Sequence, residues 1–282
     1  MLKRILLPLD PSPYTDCATA FAISLAKIYG AEITGLVVLD IPGIKASTGP
    51  LPPGVGFYAK GLEHSKIERA QVHIQNLLSK FKSKCEEAGV KHRESNAQGS
   101  PSERISEFSK FYDIVITGIK NKFQFETSEE LENTLDSFLD KSVTPIIAVP
   151  EEFSNFHSSS NVFKVMIAYN GSLPATRALQ NFAKLNFPKE IEATVFISDE
   201  DTEQAEAMFE NVREYLTAHN ITHIHKLVTT EDKISVFTNK LLDEYDIVVL
   251  GAHSKIGIFD FLVGSLARHL INENKTMLFL SE

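Results

Sequence analysis

Two cysteines in 282 residues, Cys17 and Cys85, are too few for a disulfide framework. Long apolar runs are missing too. No stretch approaches the ~18–20 residues that cross a bilayer, so no membrane partner is expected. The start Ile5-Leu6-Leu7 behind Lys3-Arg4 is cut by Pro8 and Asp10, too short for a signal-peptide core, which points to the cytoplasm. Cations are in deficit. Lys and Arg number 28 against 37 Asp and Glu, a formal charge of −9 that argues against nucleic acid as a partner, since phosphate neutralisation needs clustered cations. Apolar residues are plentiful: 43% are hydrophobic and 23% charged, a balance that suits packed cores and not disorder. At ~100–200 residues per domain, the length suggests two medium domains or one large one.

The chain repeats itself. Tyr112-Asp113-Ile114-Val115-Ile116-Thr117-Gly118 recurs as Tyr245-Asp246-Ile247-Val248-Val249-Leu250-Gly251, each an apolar β-branched run ending in Gly. The stretch Lys3–Ser12 corresponds to Phe163–Ser172, each a strand, an Asx-x-Ser turn and a helix start. Apolar stripes follow at helical spacing. Cys17, Ala20, Phe21, Leu25 and Ile28 stop at Gly30, and Ala175, Ala178, Leu179 and Phe182 follow Ser172 as N-cap and Pro174 in the first turn. Second strands are expected at Ile33–Leu39 and Ala193–Ser198, and second helices on Ile67–Cys85 and Met208–Leu216. Third strands are expected near Val90–Glu94 and Ile221–Val228, third helices from Pro101 and Glu231, and last strands at Pro145–Val149 and Thr276–Leu280.

Each half therefore reads β-α-β-α-β-α-β-α-β, an α/β fold of two repeated Rossmann-like domains. Each domain is a five-stranded parallel sheet with helices on both faces. The domains span 1–150 and 162–282, with a Ser- and Asn-rich linker near Glu151–Asn161. The offset between halves falls from 160 at Asp10/Asn170 to 133 at Gly118/Gly251, so the first half holds 27 additional residues. Most lie in Ile41–Leu62, which carries nine of the chain's 26 Gly and Pro and reads as a loop, either a lid or a disordered excursion.

In an open α/β sheet ligands bind beyond the carboxyl ends of the strands. There the second half carries Gly251-Ala252-His253-Ser254-Lys255-Ile256-Gly257 and then Gly264-Ser265-Leu266. A strand-end Gly would let a ligand approach the backbone, and a Gly-Ser pair opening a helix offers N–H groups, a hydroxyl and the positive dipole end to an anion. A tight turn plus an N-cap explains the same residues equally well.

The stretch holding Gly251, Gly257 and Gly264-Ser265 resembles the nucleotide-binding signature of the universal stress protein family, which runs Gly, two residues, Gly, nine residues, Gly-Ser or Gly-Thr and sets its first Gly on Gly251 and its last pair on Gly264-Ser265. The resemblance covers the chain twice and makes it similar to a tandem of two such domains. It implies a stress-response role, ATP (with or without Mg) at the strand ends, and pairing of domains through their last strands, here within one chain. Carried over, the nucleoside-side Asp falls on Asn170, with Ala168 two positions earlier, and the second strand's end falls on Ile197 or Ser198. The strand-end pair falls on Leu250 and Gly251, and the phosphate side on Ser254, Gly264, Ser265 and Leu266. Two positions depart from the pattern. Asn170 replaces Asp but keeps an acceptor. Ser254 replaces Gly, which costs about 1 kcal/mol if the position needs positive φ.

The first half departs further. It keeps Pro8, Asp10 and Gly118, but Asn133-Thr134 stands where Gly-Ser is expected. Glu126, Glu129, Glu130 and Glu132 would repel phosphate, so this half is not expected to bind ATP. His223-x-His225 places two imidazoles on one strand face, with His92 as the repeat equivalent of His223, and reads as an exposed edge strand in preference to a zinc site. His253 and Lys255 read as polar loop residues, and Ser265 has no assignable triad partners. Phe259 and Phe261 form either a contact patch or loop packing.

The leading functional expectation is a stress-response protein that binds ATP in its second half and acts by conformation or partner binding, with at most weak hydrolysis. The alternatives are a nucleotide-independent interaction protein with a lost site, and an adenine-nucleotide-using enzyme such as an adenylate-forming transferase. Against the enzyme, no catalytic constellation is visible. Whether two chains pair further as a homodimer stays open.

Overall fold

The computed structural model describes residues 2–47, 56–123, 125, 134–139, 142–152, 162–187, 190–230, 244–252 and 265–282. In its first half, β1 (Arg4–Pro8), α1 (Tyr14–Tyr29), β2 (Glu32–Leu39), α2 (Ile41–Ala46), α3 (Gly56–Ala88) and β3 (His92–Gln98) are followed by α4 (Pro101–Ser109), β4 (Ile114–Gly118), α5 (Thr134–Leu139) and β5 (Ile146–Val149). The second half holds β6 (Val162–Ala168), α6 (Leu173–Leu185), β7 (Glu190–Ser198), α7 (Thr202–Ala218), β8 (His223–Thr229), β9 (Ile247–Gly251), α8 (Ser265–Glu273) and β10 (Met277–Ser281). The third helix expected from Glu231 lies outside the described residues.

The strands form one ten-stranded sheet in the order β3-β2-β1-β4-β5-β10-β9-β6-β7-β8. Each set of five is parallel, and the sets join where β5 and β10 run antiparallel, pairing Ile146 with Leu280, Ile147 with Phe279 and Ala148 with Leu278. The last strands of the halves thus pair within one chain, as the resemblance implies. One apolar layer runs unbroken across this seam under α1, α3, α6 and α7, and a second under α4, α5 and α8. Both faces of a parallel sheet are then covered, so its strands carry near-continuous apolar runs.

The repeated Tyr-Asp pair has a structural cause. The Asp113 carboxylate accepts hydrogen bonds from the N–H groups of Lys3 and Arg4 at 2.7 and 2.8 Å, and Asp246 accepts from Lys164 N–H at 2.8 Å. Each Asp therefore ties the start of its own half's first strand to the fourth strand beside it. Helix ends follow their local chemistry. Gly30 closes α1 at φ +63°, and Ser172 Oγ accepts from Ala175 N–H at 3.3 Å to cap α6. Cys85 is buried with its thiol pushed up to about 12 by desolvation, and half-buried Cys17 donates to the Glu151 carbonyl at 2.9 Å.

Two expectations are corrected. Ile41–Leu62 is not simply a loop: Ile41–Ala46 is helical and α3 begins at Gly56. Pro42 falls in the first turn of α2, where its missing N–H is no loss, and Asp40 caps the helix through Gly43 N–H at 2.9 Å. Residues 48–55 lie outside the described residues. The second correction concerns register. Ile33 on β2 pairs with His92, whereas its counterpart Ala193 on β7 pairs with Ile224, so His92 is equivalent to Ile224 and not to His223. A shift of one residue reverses the face. His92 accordingly lies edge-on to Phe81 of α3, ring centroids 6.0 Å apart. His223 and His225 are exposed on edge strand β8, 3.1 and 3.2 Å from Glu190 and Glu192 of β7.

Candidate functional site

Strand order reverses at β6, with β7 and β8 on one side and β9 and β10 on the other, so the crevice at the carboxyl ends of β6 and β9 is the second half's switch point. The register sets Ile167 beside Val249, and the next residues, Ala168 and Leu250, end the crevice wall with Gly251. After Ala168 the chain turns through Asn170, whose Oδ1 accepts from Ser172 N–H at 3.2 Å. Asn170 is exposed, and among the described residues its Nδ2 has no hydrogen-bond partner. Ser265 is the exposed first residue of α8, and Leu266 turns inward to the sheet.

The structure brings Ala168, Asn170, Leu250 and Gly251 to this crevice. Ser198 ends β7 at the same edge, half-buried, whereas Ile197 is packed in the α6/α7 layer and offers a ligand only its main chain. Leu250 and Leu266 are likewise buried, in the α8 layer. Ser254 and Gly264 lie outside the described residues, as do His253, Lys255, Phe259 and Phe261. Gly251 also has a packing reason. A Cβ there would stand 2.6 Å from Pro174 C and Ala175 N, so the glycine admits the first turn of α6.

The equivalent crevice of the first half is filled. Asp10 is 1% exposed. Its Oδ1 accepts from Ser12 Oγ at 2.8 Å and from Thr15 Oγ1, and its Oδ2 accepts from Lys122 N–H at 2.5 Å. The chain after β4 thus folds back over the strand ends. Asn121 donates to Thr117 Oγ1 at 2.7 Å, Phe123 enters the α4/α5 layer and Phe125 the α1/α3 layer. These plugging residues were not anticipated. Their signal was two aromatic residues, Phe123 and Phe125, in an otherwise polar connection. The glutamates expected to repel phosphate lie outside the described residues.

Burial pushes the Asp10 carboxyl above the ordinary carboxylate range, against the lowering pull of its hydrogen bonds from Thr15, Lys122 and Ser12. A carboxyl with a raised folded pKa holds its proton more tightly in the native state. Its contribution to stability is fully present below the unfolded value of 3.8 and is lost as pH rises through the folded value. Asp10→Ala leaves the Lys122 N–H and Thr15 hydroxyl without their acceptor and should destabilise the chain by about 2–4 kcal/mol at neutral pH. Urea denaturation of both proteins checks this. The deficit of the variant should be larger near about pH 4 than at neutrality, and a deficit that shrinks toward acid contradicts the assignment.

Among the described residues, no group of three or more His, Cys, Asp or Glu is placed to hold a metal, and no helix is long and apolar enough to cross a membrane. The two halves meet at this end of the sheet as well. Asn274 Nδ2 donates to Tyr14 OH at 3.1 Å, and Lys120 Nζ donates to the Asn272 carbonyl at the end of α8, also at 3.1 Å.

Comparison with known proteins places this architecture. Residues 1–143 match the model of the universal stress protein family. A universal stress protein of Methanocaldococcus jannaschii is 30% identical over 128 residues, 45% of this chain and 69% of the relative. Among solved structures, a universal stress protein of Archaeoglobus fulgidus superposes with a TM-score of 0.67 at 17% identity, covering 99% of this chain and 98% of the other. One from Pseudomonas aeruginosa gives 0.58 at 13% identity, covering 99% and 93%. At such identities these two likenesses speak for the fold alone, which extends over both halves. The family match falls on the half whose crevice is filled. With that match spanning half its length, the chain belongs to the universal stress protein family.

Proposed function

We propose that the chain is a tandem of two units, 1–150 and 162–282, in which the second binds ATP and the first does not. The observation that carries this reading is the contrast between the two strand-end Asx residues. Asp10 is buried and engaged by Ser12, Thr15 and Lys122, whereas Asn170 is exposed and its amide N–H₂ has no hydrogen-bond partner among the described residues. The residues of the second crevice suit an adenine nucleotide. Asn170 supplies donors and an acceptor, Ala168 is small, and Ser265 brings a hydroxyl and the N-terminus of α8 toward the phosphates. Mg would accompany the phosphates. The protein then acts in the cytoplasm by conformation or partner binding, with hydrolysis slow or absent.

Calorimetric titration with Mg-ATP tests the reading. One site per chain is expected, lost in Ser265→Glu. The exposed carboxylate at the start of α8 favours the helix dipole and so preserves the fold, while repelling phosphate. No heat and no thermal shift at millimolar ATP would overturn it, as would undiminished binding in the variant.

A further inference from the structure

The first half has closed its switch point, yet it carries a groove that the register of the sheet places elsewhere. α3 has 33 residues and its counterpart α7 has 17, so α3 is longer by about four turns. Between Glu68 and Asn76 its flank stands off from the carboxyl end of edge strand β3, leaving a groove of about 590 Å³. That volume lies within the ~300–1,000 Å³ of small-molecule sites. One wall carries Gln71, Gln75 and Asn76 of α3, and the other Asn96 and Gln98 of β3. The two β3 residues share a strand face with His92 and Glu94, which meet Phe81 and Lys82 of α3, so the strand turns this side to the helix. Leu39 and Ile74, both buried, form an apolar floor.

Five carboxamides converge on this groove, and among the described residues none has a side-chain hydrogen bond to protein. Each offers a donor pair and an acceptor. Among the described residues the lining contains no Lys, Arg or aromatic residue, and the one charge among them, Glu68, faces His64 at 3.3 Å. An anion would find no counter-charge and a Glu nearby, and a flat aromatic ring would find no stacking partner. Alternating donors and acceptors over an aliphatic floor match a saturated molecule with hydroxyls at its rim and C–H groups on one face. We propose that this groove binds a neutral polyhydroxylated ligand, of the sugar or polyol class, independently of the crevice in the second half.

The test is nuclear magnetic resonance of the isotope-labelled full chain, titrated separately with glucose, with trehalose and with inorganic phosphate. One of the two sugars should shift the backbone amides of Gln71–Asn76 and Asn96–Gln98 in a saturable manner, and phosphate should leave them in place. Gln75 and Asn96 are exposed, so Gln75→Ala and Asn96→Ala preserve the fold and should each raise the dissociation constant about tenfold. Three results overturn the proposal: no saturable shift with either sugar, shifts that survive both substitutions, or phosphate moving the same amides more strongly than the sugars do.

Discussion

Gly251→Ala should lower the melting temperature of the chain by about 6–12 °C, a loss of roughly 3 kcal/mol, although it adds one methyl group. The methyl carbon would sit 2.6 Å from two backbone atoms of α6, Pro174 C and Ala175 N, and 2.8 Å from Pro174 Cβ. No side-chain rotation relieves such a contact. Either α6 lifts from the sheet, exposing the layer around Ala178, Leu179 and Phe182, or β9 is displaced from β6. Gly30→Ala provides the contrast, because a Cβ there meets nothing within 4 Å and only the positive φ resists it. Thermal denaturation followed by circular dichroism distinguishes them. If Gly251→Ala melts within about a degree of the parent, the close approach of α6 is wrong.

Phe279→Ala should be as damaging, at about 3–5 kcal/mol. Phe279 is fully buried on β10, in register with Ile147 across the antiparallel seam and with Val249 on the other side. Its ring meets Phe182 edge-on, centroids 5.6 Å apart. Because the layer beneath it runs on from the first half to the second, the cavity weakens both. Calorimetry should therefore show one cooperative transition in the parent and one, shifted downward, in the variant. Two separate transitions, with only the second moved, would mean that the seam does not couple the halves.

The alternation of strands and helices was legible because each apolar stripe stops at a residue with a physical reason to stop it, as Gly30 does at φ +63°. The Tyr-Asp repeat announced the duplication, and its carboxylates proved to join neighbouring strands. Three things were not legible. Ile41–Leu62 read as a loop because Gly and Pro were counted without position, yet Pro42 and Gly56 both fall in opening turns of helices, where they do little harm. Gly251 suggested room for a ligand, but its spacing cannot tell a ligand from a helix turn; only the third dimension brings Pro174 against it. The plug of the first crevice was hidden for a similar reason. Phe123 and Phe125 lie more than a hundred residues from Asp10 in the chain, and nothing local says that their segment folds back over the strand ends.

The antiparallel meeting of β5 and β10 on a single chain also bears on how such a protein can change. Where two identical chains form a pair, every mutation is made twice, and a crevice lost on one side is lost on the other. Here Asp10 and Asn170 occupy equivalent places but are written at separate positions. Either can be altered alone while the ten-stranded sheet that holds both remains shared.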